Sequence, residues 1–227
     1  SLGAQSRIFT VEPNSAMRIT IPISGNNLIG LIKQGDGLLE LTAANTYSGI
    51  TSIENGSLLI SGPDGTLGST LSGTQVSKGA QVFTSWVDIG SESLTLNGDE
   101  PGSGRPSFSS YGDCTWAGPI FLNGGTNTIE VQTVQLIASG AITGPGFLKI
   151  LGHTVLGKPT KLWISGLDAN TYAGETIVET CELWLSKLTG KSAIPGALTL
   201  LDRTAPAEAA SRLFFINGEQ LSDSKPV

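Results

Sequence analysis

Apolar residues in this chain recur at every second position in short runs, and Gly, Asn, Asp or Pro breaks the runs. Arg7 to Val11 (RIFTV), Ala16 to Ile23 (AMRITIPI), Leu28 to Lys33 (LIGLIK), Leu38 to Thr42 (LLELT), Ser57 to Ser61 (SLLIS), Ser93 to Asn97 (SLTLN), Asn127 to Ser139 (NTIEVQTVQLIAS) and Lys161 to Ser165 (KLWIS) all alternate or run apolar. A period of two with turn residues between the runs predicts half-buried β-strands. The punctuation is explicit at Asp36-Gly37, Asn55-Gly56, Asn97-Gly98, Asn123-Gly124 and Pro145-Gly146. Helical signal is confined to Ala205 to Arg212 (APAEAASR), enough for one or two turns.

The pattern also repeats. ANTYSGITSIENGSLLI, from Ala44 to Ile60, returns as ANTYAGETIVETCELWL, from Ala169 to Leu185. Self-similarity of this kind predicts a stack of coils in which neighbours bury one another. Strands in successive coils then lie roughly 4.8 Å apart. Ile53, Leu58 and Ile60, with Val178, Leu183 and Leu185, form apolar ladders inside it. Asn45 and Asn170 suit the corner, since Asn tolerates a left-handed backbone and its amide can reach the main chain of a neighbouring coil. Thr46, Tyr47 and Gly49, with Thr171, Tyr172 and Gly174, complete the two corners, which read as architecture rather than as a ligand site. The second copy carries about six extra residues in its lead-in, placed in His153 to Thr160 (HTVLGKPT), because loops absorb insertions at small cost.

Composition narrows the class. Gly is 30 and Pro 11 of 227 residues, and charged residues are only 14%. Many turns and a neutral polar surface fit an all-β, single-domain parallel β-helix with little or no α-helix, running over 1–227. Its repeat blocks are about 7–68 and 90–200, with 201–227 as a closing segment. Asn97 to Gly104 (NGDEPGSG) reads as an insertion. The net charge is −6 and the 13 basic residues are scattered. A nucleic-acid partner, which needs a basic footprint, is therefore not expected. No apolar run approaches the roughly 18 residues of a membrane helix. Cys114 and Cys181 lack metal-ligand spacing. They are candidates for one disulfide in an exported protein, or for two buried thiols.

The first copy resembles the autotransporter-associated β-strand repeat, also called the passenger-associated transport repeat. The matching residues are Gly35, Gly37, Leu39, Leu41, Asn45, Thr46, Tyr47, Gly49, Thr51, Ile53, Gly56 and Leu58. The second copy departs from that pattern: Cys181 replaces the late Gly, and the lead-in is broken around Lys158 to Ile164. The resemblance implies a right-handed parallel β-helix, exported by a Gram-negative-type bacterium and displayed at or beyond the cell surface. In that family the repeat assists passenger secretion or folding.

Catalytic constellations are hard to assemble. The carboxylate pairs Asp99/Glu100 and Glu179/Glu182 match no glycosidase arrangement read from sequence, and Glu179 shares its repeat position with Glu54. The sole His153 sits in the inserted loop. Gly190-Lys191-Ser192 lacks the earlier Gly and the following helix of a phosphate loop. No catalytic, cofactor or metal residue is assigned. The expectation is a non-enzymatic extracellular or cell-surface solenoid that associates with itself head to tail into a fibre. The alternative is an adhesin or glycan-binding module that uses Trp86, Trp116, Trp163 or Trp184. A polysaccharide-degrading β-helix enzyme ranks third.

Overall fold

The computed structural model describes residues 1, 3, 5–25, 28–62, 66–201, 210–218 and 220–222. Among the described residues the alternating runs become 23 short strands. They wind into three sheets around one core, a β-solenoid. Every ladder is parallel except one hairpin, in which Thr154–Val155 pairs antiparallel with Lys158–Gly166. No helix is present among the described residues. The helical expectation for 205–212 falls mainly outside the described residues, and Arg212 opens the strand Arg212–Phe215.

The first face has seven strands, from Arg7–Thr10 to Ile142–Thr143. The second has nine, from Ala16–Ile19 to Leu198–Leu201. The third begins only at Asp88–Ile89 and runs through Asp113–Trp116, Gln135–Ala138, Lys158–Gly166 and Cys181–Lys187 to Arg212–Phe215. In the earlier coils no third-face strand occurs among the described residues between the second face and the first. The run Asn127 to Ser139 turns a corner at Val134, whose φ of 52° is left-handed, and so supplies one strand to each of two faces.

Register explains why the apolar alternation must hold. On the second face Leu39, Leu58, Val82, Phe108, Ile129, Ile150 and Val178 stand directly above one another, all fully buried. Each such side chain contributes about 1.5–3 kcal/mol by leaving water. A one-residue slip would turn the whole column outward.

The two sequence copies are not stacked on the same face. In the first, Thr51–Ile53 lies on the first face and Ser57–Ser61 on the second. In the second, Thr176–Glu179 lies on the second face and Cys181–Lys187 on the third. The motif has advanced by one side of the solenoid. The insertion expected at 153–160 is the antiparallel hairpin, whose tip residue Leu156 is 98% exposed.

The disulfide does not form. Cys114 and Cys181 are both free and buried. Cys114 shares a register column with Leu136, Leu162 and Leu183, three rungs apart at its ends, while Cys181 lies over Thr160. Three rungs are roughly 14 Å, beyond the ~7 Å Cα limit for a bridge. Burial pushes the Cys181 thiol up to about 12, which keeps it protonated.

Candidate functional site

At the first corner, the Asn45 Oδ1 accepts from the Ile23 N–H of the coil below at 2.9 Å, and its Nδ2 donates to the Thr66 carbonyl of the coil above at 2.7 Å. Asn170 repeats this with Ile142 N–H at 2.8 Å and the Ala193 carbonyl at 2.7 Å. One amide thus ties three coils together. Thr46 and Thr171 use their backbone N–H groups on the Ile23 and Ile142 carbonyls, with exposed side chains. The phenols of Tyr47 and Tyr172 are buried and meet Thr51 Oγ1 at 2.6 Å and Thr176 Oγ1 at 2.5 Å. Burial raises the pKa of both phenols. A Cβ on Gly49 would stand 2.2 Å from the Leu28 carbonyl oxygen, and one on Gly174 2.5 Å from that of Gly146. These eight residues are spent on joining coils and present no convergent polar groups to solvent.

The carboxylates are likewise committed and dispersed. Asp99 accepts from Ser107 N–H and Oγ and from Thr128 N–H and Oγ1, pinning the 97–106 loop to the second face. Glu100 turns away to Lys78 at 3.0 Å. Glu179 meets Lys149 on the second face at 3.1 Å, and Glu182 meets Arg212 on the third at 3.5 Å. His153 contacts Glu130 at 2.9 Å, and Ser109 donates to the same carboxylate at 2.6 Å. The carboxylate thus sits between Ser and His, so the direct Ser–His hydrogen bond of nucleophilic catalysis is missing. Burial alone would raise the pKa of Glu130, but hydrogen bonds from Ser109, Gln132 and His153 outweigh it and lower the value. No cluster of three metal-ligating side chains occurs among the described residues.

Among the described residues five charged side chains are buried: Glu179 and Glu182, both in ion pairs, and Lys33, Lys187 and Glu92. Lys33 donates to the carbonyls of Gln34, Gly35 and Asn55. Lys187 donates to the Gly140 carbonyl at 2.9 Å, and burial brings its pKa down to about 8 against the pull of Asp168. Glu92 is 4% exposed, and burial raises its pKa to about 7 although Thr74 Oγ1 donates to it at 2.9 Å.

The tryptophans divide. Trp116 is core, with Nε1 on the Glu92 carbonyl at 2.9 Å. Trp86 is 55% exposed and lies over Gly112. Trp163 and Trp184 point outward from the third face and continue into Phe214, with ring centroids 4.7 and 4.4 Å apart. That spacing is the rung spacing, so each ring covers its neighbour and no sugar ring fits between them. Leu162/Ile164 and Leu183/Leu185, on either side of the two indoles, take the inward positions. Phe214 sits in a tail that runs LFFI, where no alternation marks the outward residue.

Beside this aromatic column runs a charged one: Lys161, Glu182 and Arg212 are register neighbours. Lys161 Nζ stands 5.5 Å from the Trp184 ring centroid, and Trp184 Nε1 donates to Glu182 Oε2 at 3.2 Å. The Thr154–Val155 hairpin overhangs this column. Together they enclose an open cleft of about 360 Å³ lined by Gly157, Lys158, Pro159, Lys161, Glu182 and Arg212.

A family profile, the passenger-associated-transport-repeat, matches residues 31–60, the first copy and its lead-in. Over 138 residues, 59% of its length, the chain is 31% identical to the adhesin BmaC autotransporter of Brucella suis biovar 1 (strain 1330). It spans about 4% of that relative's length. No solved structure matches the chain.

Proposed function

We infer that this chain, whose residues 31–60 match the passenger-associated-transport-repeat, is a surface-displayed passenger segment: a rigid, non-enzymatic β-solenoid with an adhesive role. The observation that carries this reading is the agreement between the repeat at 31–60 and the geometry of its corner, where Asn45 ties three coils together. Such a corner lets a long exported chain fold by adding one coil at a time onto the last, since each coil contacts only its neighbours. The similarity to part of an adhesin supports the adhesive role. The test is antibody labelling of intact cells that make the parent protein. Labelling before lysis is expected, and labelling only after lysis would overturn the reading.

A further inference from the structure

The place where the second copy departs most from the first is the hairpin, and the hairpin builds a wall that the bare solenoid lacks. The cleft under it is electrostatically unlike the rest of the molecule. The chain carries a net −6, yet Lys158, Lys161 and Arg212 meet here around one carboxylate, Glu182. That carboxylate is already engaged by Arg212 and by Trp184 Nε1. Lys158 and Lys161 have no carboxylate within 4.0 Å among the described residues, and Lys161 leans on Trp184 instead. Two ammonium groups that share one cleft, neither of them ion-paired within 4.0 Å among the described residues, repel each other and attract an anion.

We propose that this cleft binds an acidic saccharide, with Lys158 and Lys161 holding its carboxylate or sulfate. The cleft is at the small end of the range for ligand clefts, roughly 300–1,000 Å³, which limits the occupant to a short stretch of sugar. The oxygens of Glu182 keep lone pairs free to accept from sugar hydroxyls. A cleft that offers donors on both sides of one acceptor suits a hydroxyl-rich ligand with a single anionic group. A nucleic-acid backbone suits it less well, because Glu182 and the overall negative charge repel successive phosphates. Trp184, whose ring centroid stands 5.5 Å from Lys161 Nζ, adds an apolar surface next to that lysine. The proposal rests on the chain being an exposed passenger, since only then does the cleft meet extracellular glycans.

The experiment is calorimetric titration of the whole chain at low salt with three probes: oligogalacturonate, dextran sulfate and neutral dextran. Saturable binding of at least one anionic probe is expected, none of the neutral one, and a tenfold or greater weakening in K158Q/K161Q and on raising the salt. Which anionic probe binds tells carboxylate from sulfate recognition. K191Q, which removes an exposed charge elsewhere, is expected to bind as the parent does. A matching thermal melt for the double variant separates lost binding from lost folding, since both lysines sit at the surface. If the double variant proves misfolded, the single variant K158Q carries the same test with a smaller expected loss. Failure of both anionic probes to bind, equal binding of dextran, or binding untouched by K158Q/K161Q would each overturn the proposal. None of these results bears on cell-surface labelling, so the two claims fail separately.

Discussion

The two rungs from Leu31 to Ile60 and the two from Phe147 to Leu185 are built round the same corner but look out in different directions. The first sends its strands to the first and second faces, the second to the second and third. Their inward residues are interchangeable, with Leu58 and Leu183 both fully buried. Their outward residues are not: Leu59 of the first is replaced by Trp184 in the second. The repeat therefore specifies a bend and the two strands after it, and leaves open which side of the solenoid receives them. A later copy can carry new surface chemistry onto a new face without changing the way coils are joined.

The largest effects are expected where the two copies are alike. Gly49→Ala and Gly174→Ala each drive a Cβ into backbone atoms, at 2.2 and 2.5 Å, and are expected to cost about 4 kcal/mol or more in urea unfolding. Similar losses in the two would support a face-neutral corner, whereas a harmless Gly174→Ala would mean that the second corner is a relic. Asn45→Ala and Asn170→Ala each strand a buried N–H and a carbonyl, for about 3 kcal/mol apiece.

A difference of comparable size separates the surroundings of the two tyrosines. Glu92, bonded to Thr74, lies close enough to Tyr47 to help raise its pKa, and no such acid acts on Tyr172. The folded-state value of Glu92, about 7, lies above its ordinary 4.5. The native state then holds a proton that the unfolded chain has released. Its stabilising contribution is full below pH 4.5 and is lost as pH rises to 7, for a total of about 3 kcal/mol. Glu92→Gln should flatten that part of the stability–pH curve, as read from urea midpoints across the window. An unchanged slope would place the titration elsewhere.

Smaller effects are expected where the copies differ. Trp184→Ala opens a gap in a three-ring column and should cost about 2 kcal/mol, against about 1 for Leu59→Ala. In the first copy the tight turn falls on Gly56 at φ 67°, whereas in the second it falls on Thr180 at φ 55°. A β-branched residue there is strained, so Thr180→Gly should raise stability by about 0.5–1 kcal/mol in the same unfolding assay.

Most of the inward plan was legible in the sequence, because a column such as Leu39–Leu58–Val82 needs every second residue apolar. The corner was legible too, since Asn, Tyr and Gly recur wherever it forms. The third face was not. Its first strand is only Asp88–Ile89, too short to show a period. Its later strands share runs with the second face, split at Val134 and Thr180, where non-glycine residues take positive φ without the usual turn signature. The basic cleft was hidden for a related reason: Lys158, Lys161, Glu182 and Arg212 are scattered in sequence and meet only through register and the hairpin fold.

The displacement of the second copy by one face can be tested with engineered disulfides. In the parallel register Ile177 sits next to Lys149 on the second face, whereas a copy stacked in phase with the first would place Ile177 on the first face, beside Thr143. Neighbouring strands bring Cα atoms to roughly 4.8 Å, within disulfide reach. K149C/I177C is predicted to cross-link in air, seen as a linked peptide in a non-reducing digest, while T143C/I177C stays reduced. A bridge in T143C/I177C and none in K149C/I177C would contradict the account.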